Sequence, residues 1–324
     1  MKKVFIITVT IVALFFNINV YAAYAAKIGD SSYNTLADAI QAVGEEATIT
    51  VTDNINLTDK VTIPAGKKVV LDLNGKTIKV PTVENNYGVV IKGDLQIKGK
   101  GTVTVGQFGI GVSPGGKLTI ESGTYNCPTG DYLIGSWGTV EIKGGTFNGN
   151  YCIANGFDNG TVKITDGVYN SKEATIVLGN VTIEGGSFNH NVTEYLAQRV
   201  KQVKYNGVYY VGNIYNITVE TVKNGKLVVP KEAVDGQPVK MDITPNKGYE
   251  IDTLGVIDKD KNNIEVKNNE FMMPESDVSI KATFKLETLD KTHQTWGYNV
   301  LIITTVTLGI ICLIVLSCKL YKEN

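Results

Sequence analysis

The chain is poor in the residue types on which nucleic-acid-binding and many catalytic sites depend. Of its 31 basic residues only Arg199 is arginine, and its 324 residues include two histidines, two tryptophans and four cysteines. The formal net charge is −1, and the lysines are spread along the chain rather than clustered. Because a nucleic-acid interface needs a basic patch or stripe, this composition argues against a nucleic-acid partner.

The scarcity of histidine also restricts the catalytic arrangements that the sequence can encode. His190 and His293 lie far apart, and neither has neighbours that suggest a Ser-His-Asp set. The run that starts at Asp258 is similar to the first half of an EF-hand loop, but Asn263 stands where that loop requires glycine. The sequence therefore predicts no catalytic residues, no metal and no cofactor.

The centre of the chain repeats one phrase four times between residues 116 and 189. Each phrase contains two apolar residues separated by a polar one, then a glycine and an aromatic residue. The second apolar residues lie 22, 22 and 19 positions apart: Ile120, Ile142, Ile164 and Ile183. A period of about twenty residues indicates a solenoid, and the alternation indicates β-strands rather than helices.

Stacking these phrases predicts two columns of equivalent residues. The glycines three positions after the isoleucines are expected at sharp turns with positive φ: Gly123, Gly145, Gly167 and Gly186. The aromatic residues two positions later are expected to form a ladder: Tyr125, Phe147, Tyr169 and Phe188. Weaker copies place Ile97 and Leu73 in the isoleucine column, so we predict a right-handed parallel β-helix of about six or seven rungs.

Both ends of the predicted coil have sequences suited to closing it. Leu36, Ile40 and Val43 share one face of a short helix predicted within residues 34–44. After the last repeat, Asn206 and Gly207 lie between two apolar runs, which predicts a β-hairpin. Such caps cover the unpaired backbone groups of a terminal rung.

Two stretches near the start of the coil carry a resemblance to a known family. They read Tyr33-Asn-Thr-Leu-Ala-Asp-Ala-Ile and Val61-Thr-Ile-Pro-Ala-Gly-Lys-Lys-Val-Val-Leu-Asp-Leu-Asn-Gly. With the repeats and the hairpin, they make residues 27–211 similar to the pectate-lyase-like β-helix of bacterial adhesin-type surface proteins. Residues 248–251 and 271–284 resemble small all-β modules related to divergent internalin-type bacterial repeats. The first resemblance implies an architecture rather than an activity, since that fold hosts lyases, hydrolases and plain binders.

The two ends of the chain contain apolar runs outside these domains. A start with two lysines, an apolar run at residues 4–20 and several alanines predict a secretory signal peptide, with an uncleaved anchor as the alternative. The apolar run at residues 300–317 has Trp296 and Tyr298 before it and lysines after it. This pattern predicts one transmembrane helix with the bulk of the chain outside the cell, and a buried soluble helix is the alternative.

These predictions give an all-β, single-pass type I protein of the cell membrane. The Gram-positive sorting motif Leu-Pro-x-Thr-Gly is missing before the apolar run, so we expect membrane anchoring rather than covalent attachment to the wall. The predicted segments are a signal peptide (1–26), a capped β-helix (27–211), a small β stalk module (212–286), a linker (287–297), a transmembrane helix (298–318) and a cytoplasmic tail (319–324).

Aromatic residues in the connecting segments of the central rungs form the candidate binding site. Sugars bind where an aromatic face meets their C–H surface and nearby polar groups take their hydroxyls. The predicted ligand-binding residues are Tyr132, Trp137, Tyr151, Phe157, Asp131 and Asp158. The alternative is that these aromatic side chains point inward and extend the core ladder.

Cys127 and Cys152 lie in consecutive rungs but are 25 residues apart, against a local period of 22. They are therefore not expected to stack directly. A disulfide between them and a pair of free thiols both remain open at this point, because a bond requires Cα atoms within about 7 Å.

The sequence favours a non-catalytic adhesin or glycan-binding protein whose partner is an extracellular polysaccharide or the surface of a host or neighbouring cell. A polysaccharide lyase or glycoside hydrolase on the same fold is one alternative, and a structural spacer in a surface layer is another. Arg199 falls outside the stacked rungs, and Asp131, Asp158 and Asp166 occupy unmatched positions in the repeat. Neither the base of a lyase nor the acid pair of a hydrolase can be assigned from these positions.

Overall fold

The structure is a computed structural model that describes residues 24–84, 86–155, 160–176 and 179–288. The chain divides into two compact units between Asn213 and Ile214. Residues 1–23 of the predicted signal peptide, the predicted site residues Phe157 and Asp158, and the predicted transmembrane helix lie outside the described residues. Within the described ranges, no helix is long and apolar enough to cross a membrane.

The N-terminal unit is a parallel β-solenoid of about six turns, and the all-β prediction for it is confirmed. Its strands are β1 (Ala26–Ile28), β2 (Ser31–Tyr33), β3 (Glu46–Val51), β4 (Ile55–Asn56), β5 (Val61–Ile63), β6 (Lys68–Asp72), β7 (Thr77–Lys79), β8 (Val89–Ile91), β9 (Asp94–Lys98), β10 (Thr102–Thr104), β11 (Phe108–Val112), β12 (Lys117–Ile120), β13 (Thr124–Ser136), β14 (Thr139–Ile142), β15 (Thr146–Asn155), β16 (Thr161–Ile164), β17 (Val168–Ile176), β18 (Asn180–Ile183), β19 (Gly186–Phe188), β20 (Lys201–Tyr205) and β21 (Val208–Gly212).

Each of the first six rungs of the solenoid contributes strands to three faces. The first face stacks β3, β6, β9, β12, β14, β16 and β18 in parallel. The second face stacks β4, β7, β10, the first parts of β13, β15 and β17, and then β19. The third face stacks β5, β8, β11 and the later parts of β13, β15 and β17. Strands β13, β15 and β17 run through the corner between the second and third faces.

The register of the first face confirms the predicted isoleucine column. Ile97 pairs with Ile120, and the column continues in direct register through Ile142, Ile164 and Ile183. All of these side chains are buried. Stacking of inward apolar residues at every rung gives the solenoid one continuous core.

The predicted phase of the column was wrong by two residues at Leu73. Leu71, not Leu73, pairs with Ile97, so that rung is longer than predicted. Val69, Leu71 and Leu73 lie at alternating positions, and all three are buried. The alternation alone therefore does not show which of the three pairs with Ile97. The extra length lies in residues 80–88, the connection between β7 and β8.

The predicted aromatic ladder forms the centre of the core behind the second face. Ring centroids are 5.1 Å apart for Tyr125 and Phe147, 4.8 Å for Phe147 and Tyr169, and 4.7 Å for Tyr169 and Phe188, with interplanar angles of 9°, 8° and 6°. All four side chains are fully buried. The Tyr125 hydroxyl donates to the Ser122 carbonyl at 2.9 Å, and the Tyr169 hydroxyl donates to the Asp166 carbonyl at 3.3 Å.

The turn before each ladder residue requires glycine, as predicted. The φ angles of the four turn glycines Gly123, Gly145, Gly167 and Gly186 are 110°, 111°, 130° and 114°. Residues with a Cβ rarely adopt these angles. Asp166 belongs to this turn, and its side chain accepts a hydrogen bond from the Gly167 N–H at 2.7 Å.

The solenoid is closed at both ends, as predicted. Helix α1 (Leu36–Ala42) begins after Thr35, whose hydroxyl accepts from the Asp38 N–H at 3.0 Å, and it buries Leu36 and Ile40. At the other end, β20 and β21 form an antiparallel hairpin that pairs with β19. A short 3-10 helix (Thr193–Tyr195) precedes Ala197, whose N–H donates to the Ile183 carbonyl at 2.8 Å. Both caps satisfy backbone groups that would otherwise be unpaired.

Charges alternate in sign on the outside of the first face. Glu46, Lys68, Asp94 and Lys117 occupy one column of paired positions. The Lys68 ammonium lies 2.8 Å from the Glu46 carboxylate, and this contact, together with the field of Asp94, raises the pKa of Lys68. Opposite charges at directly paired positions of neighbouring strands stabilise the observed register.

The C-terminal unit is a small all-β module with a core of its own. Its strands are β22 (Ile214–Val219), β23 (Gly225–Val228), β24 (Glu232–Val234), β25 (Pro238–Lys240), β26 (Asp242–Pro245), β27 (Tyr249–Asp258), β28 (Asn263–Ile264), β29 (Glu270–Met272) and β30 (Val278–Leu286). They form a five-stranded sheet in the order β24-β22-β30-β27-β28 and the two-stranded pairs β23-β26 and β25-β29. Phe271, Met241 and Ile280 lie in the core that these sheets enclose.

Candidate functional site

Three of the predicted ligand-binding residues form part of an aromatic surface on the third face. Tyr132, Trp137 and Tyr151 are partly exposed, and none of them packs against the core of the solenoid. They do not join the buried ladder, so the inward alternative does not hold for these three side chains. Asp131, which precedes Tyr132, is exposed.

Two further rings that the sequence analysis did not select complete this surface. Phe108 and Tyr132 have ring centroids 6.2 Å apart, and Tyr132 and Tyr151 are 5.5 Å apart. Tyr87 lies 5.7 Å from Phe108 and 5.7 Å from Trp137. We call these five residues the aromatic row: Tyr87, Phe108, Tyr132, Trp137 and Tyr151.

Strand register places three members of the row directly above one another. Phe108 pairs with Tyr132 across β11 and β13, and Tyr132 pairs with Tyr151 across β13 and β15. The next position in the same column is Ala174, on β17. The Phe108 and Tyr132 rings are inclined by 20°, and the Tyr132 and Tyr151 rings by 35°. These three rings, the ring column, therefore occupy three successive rungs.

The ring of Tyr87 lies flat against the backbone of two strands. A Cβ atom added at Gly111 would come within 2.6 Å of Cγ and Cδ2 of Tyr87, and one added at Gly135 would collide with the Tyr87 hydroxyl. Gly111 and Gly135 pair with each other in the third face. Glycine at both positions is what permits the close approach. Burial raises the pKa of Tyr87 to about 12, with a smaller contribution from Tyr132, so the phenol is neutral at physiological pH.

A polar side chain precedes each residue of the ring column. Gln107, Asp131 and Asn150 lie immediately before Phe108, Tyr132 and Tyr151, and we call them the polar column. The Gln107 amide donates to the Asp131 carboxylate at 3.3 Å, and the Asp131 N–H donates to the Gln107 carbonyl at 2.9 Å. The Asn150 amide donates to the Gly130 carbonyl at 2.9 Å. Amide and carboxylate groups thus follow the rings from rung to rung.

An asparagine ladder on the second face stands in contrast to this surface. The Asn148 amide donates to Asn126 at 2.8 Å, and the Asn170 amide donates to Asn148 at 2.9 Å. A shallow depression beside the ladder is lined by Pro128 and Lys172. The residues that line this depression include no aromatic ring, so it offers no platform for a sugar, and the amide bonds across the rungs help to hold the strands in register.

The two acids considered for catalysis that lie within the described residues are in different parts of the rung. Asp166 is part of a turn, whereas Asp131 lies in the polar column on the third face. Among the residues that the structure describes, no group of three or more His, Cys, Asp or Glu side chains could hold a metal ion. Arg199 is exposed in the C-terminal cap, with a φ of 81°.

Of the two states that the sequence leaves open for Cys127 and Cys152, the structure has the free thiols. Both thiols are free and fully buried. Cys127 pairs with Gly149 at the end of the second face, whereas Cys152 precedes Ile153, which pairs with Ile134 in the third face. The 25-residue spacing therefore places the two side chains at different positions of the rung. Burial raises the pKa of Cys127 and raises the pKa of Cys152 to about 12, which keeps both thiols protonated.

Comparison with known proteins bears on the C-terminal unit. Residues 215–288 match the family model of the Divergent InlB B-repeat domain. No curated protein and no solved structure matches the chain at a significant level. The chain thus combines a parallel β-solenoid with a module similar to the InlB B-repeat.

Proposed function

We propose that this protein is a non-catalytic bacterial cell-surface protein that binds glycans through the aromatic row. A β-solenoid combined with an InlB-like repeat module fits a bacterial surface protein. In this proposal the solenoid is the binding domain, and the module is a stalk. The predicted segment at 298–318 would anchor the protein in the membrane, with both domains outside the cell.

The observation that carries the proposal is the ring column beside the polar column. Phe108, Tyr132 and Tyr151 are partly exposed rings stacked on successive rungs. Sugar rings present C–H faces that pack on aromatic rings and hydroxyls that bond to amides and carboxylates. Gln107, Asp131 and Asn150 supply those polar groups. A strip of this kind fits a polysaccharide of a host or neighbouring cell, which makes the protein an adhesin.

The arrangement of acids favours binding over catalysis. A glycosidase places two carboxyl groups within about 10 Å on either side of the scissile bond. The polar column contains one carboxyl group, that of Asp131, which lies between the rungs of Gln107 and Asn150. These three positions can orient hydroxyls, but they supply one carboxyl where the chemistry requires two, and the next acid along the column, Glu173 beside Ala174, lies two rungs from Asp131.

The first prediction concerns removal of single rings from the row. Full-length protein in detergent is incubated with a panel of insoluble neutral and acidic polysaccharides, and retained protein and released reducing ends are measured. We expect retention without product. Tyr132→Ala and Trp137→Ala should each weaken retention by about three- to tenfold, the range for one aromatic contact.

Tyr249→Ala provides the matched control. Tyr249 is a partly exposed aromatic residue in the C-terminal module, so its removal should leave retention unchanged. Release of reducing ends or unsaturated products would favour a lyase or hydrolase instead. Lack of retention on every polymer would contradict the glycan-binding proposal and favour a structural spacer.

A further inference from the structure

The ring column defines a direction along the solenoid. Its three rings lie on neighbouring parallel strands in direct register, so the line that joins them runs across the strands, along the solenoid axis. The steps between ring centroids are 6.2 Å and 5.5 Å. These steps are close to the length of one sugar unit in an extended chain, so consecutive units could each pack on their own ring.

The polar column accompanies the ring column over the same three rungs. Gln107, Asp131 and Asn150 each precede one ring of the column, so every rung offers one ring and one polar group. The carboxylate of Asp131 lies at the middle rung and is exposed. It can accept a hydrogen bond from a hydroxyl of the ligand, and it repels a carboxylate of the ligand at short range. The middle rung therefore favours a neutral sugar over a uronic acid.

The ring column has a defined length and one obstructed side. It ends at Ala174, which occupies the fourth position and carries no ring. At the other end, the Tyr87 ring is inclined by 55° to that of Phe108 and does not continue the stack. Tyr87 and Trp137 also cover the third face beside the column, where a branch of the ligand would need space.

We infer that the ligand is an unbranched neutral glycan that lies along the solenoid axis, with one sugar unit on each of three rungs. This inference rests on the proposed glycan-binding function. It adds the direction, the number of subsites and the charge of the ligand to that function. Phe108, Tyr132 and Tyr151 are the three platforms, and Asp131 is the residue that selects against acidic sugars.

The test measures the affinity of the full-length protein for oligosaccharides of increasing length, prepared from the neutral polysaccharide that it retains. Affinity should rise by about two- to tenfold for each unit up to three units and then stay constant, as expected for one aromatic contact per unit. Ala174→Tyr adds a fourth ring at the end of the column. This variant should raise the affinity for the four-unit ligand by a similar factor and leave the three-unit ligand unchanged.

Lys172→Tyr is the matched control for the added ring. It introduces the same side chain on β17, two residues outside the column, and should not change the length dependence. Thermal melting of each variant establishes that it is folded. A separate arm uses Asp131→Asn, which should raise the ratio of uronic acid binding to neutral oligosaccharide binding by about tenfold.

The possible failures are distinguishable. Affinity that does not depend on ligand length, or that continues to rise beyond three units, would overturn the axial arrangement. The proposed function would still stand in that case if Tyr132→Ala weakens binding. Preference of the unaltered protein for acidic oligosaccharides would overturn the assignment of a neutral ligand. Failure of the unaltered protein to bind any glycan would overturn both the inference and the proposed function.

Discussion

Two glycines on the third face determine where the ring of Tyr87 can lie. Gly111 and Gly135 pair with each other, and the ring covers both of them. Their role is steric rather than conformational, because neither has a positive φ. The surface of the row therefore depends on two residues that contribute no side chain to it.

The prediction at this scale is that Gly135→Ala displaces the Tyr87 ring. The added Cβ would collide with the end of that ring, and we expect a loss of about 1–3 kcal/mol in the free energy of unfolding, as for other overpacking substitutions. Denaturant unfolding monitored by tryptophan fluorescence measures the loss of unfolding free energy. The fluorescence of the folded protein reports the displacement of the ring, since Trp137 contacts Tyr87.

Two controls isolate the steric effect. Gly44→Ala, at a site with open space around the new Cβ, should change stability little. In the Tyr87→Ala background, Gly135→Ala should lose most of its cost, because the three nearest atoms to the new Cβ all belong to Tyr87. A full cost in that background would show that the ring is not the obstacle.

At the scale of the element, the buried ladder alternates tyrosine and phenylalanine. Tyr125 and Tyr169 place hydroxyls in the core, where burial raises the pKa of both phenols well above the ordinary value. Each hydroxyl donates to a carbonyl of the preceding turn. Phe147 and Phe188 show that a ring without a hydroxyl also fits the ladder.

The ladder predicts alkaline sensitivity. The folded state holds these protons more tightly than the unfolded chain, so stability is fully present below pH 10, the ordinary tyrosine value, and falls as pH rises above it. Replacing both residues, Tyr125→Phe with Tyr169→Phe, should flatten that fall and cost about 1 kcal/mol per lost hydrogen bond at neutral pH. Urea unfolding between pH 7 and pH 11 measures the difference.

Tyr205→Phe is a suitable comparison, since Tyr205 is partly exposed in the terminal hairpin. This substitution removes one phenol hydroxyl from outside the ladder and leaves the core packing intact. If the stability of the double variant falls above pH 10 as much as that of the unaltered protein, the fall originates outside the ladder. Tyr87, with a pKa of about 12, is the next phenol to test in that case.

At the scale of the whole molecule, the two units have separate cores. The solenoid core contains Phe147, and the module core contains Phe271; both side chains are nearly or fully buried. We therefore expect two transitions in calorimetry. Phe147→Ala should lower one of them and Phe271→Ala the other, each by about 3–5 kcal/mol of unfolding free energy.

The two variants serve as controls for each other. If either substitution shifts both transitions equally, the units unfold as one cooperative body. A single transition in the unaltered protein would lead to the same conclusion. Circular dichroism at neutral pH shows whether each variant is folded before heating.

The core of the solenoid could be predicted from the sequence, because its residues recur at nearly constant spacing. The isoleucine column, the turn glycines and the aromatic ladder all follow from a period close to 22 residues. The phase at Leu73 could not be determined, because three alternating apolar residues fit the column equally well. The same irregular rung contains the connection that carries Tyr87.

The candidate site was only partly predictable, for a different reason. Tyr87, Phe108, Tyr132 and Tyr151 are separated by 21, 24 and 19 residues, since the corner between the second and third faces varies in length. A shared local pattern was available: Phe108-Gly-Ile-Gly and Tyr132-Leu-Ile-Gly align in register. The position of the Tyr87 ring depends on glycines in two later rungs, which no local pattern reveals.

The location of the caps has a consequence for how this protein can evolve. Helix α1 and the hairpin β20–β21 lie at the two ends, while each inner rung pairs with the rungs before and after it. Duplication of one internal phrase would lengthen the buried ladder and the first face without changing either cap. A duplication that includes Tyr132 or Tyr151 would also add a ring to the column. Under the proposed function, the number of sugar units bound would change by gain or loss of whole phrases, with no redesign of the fold.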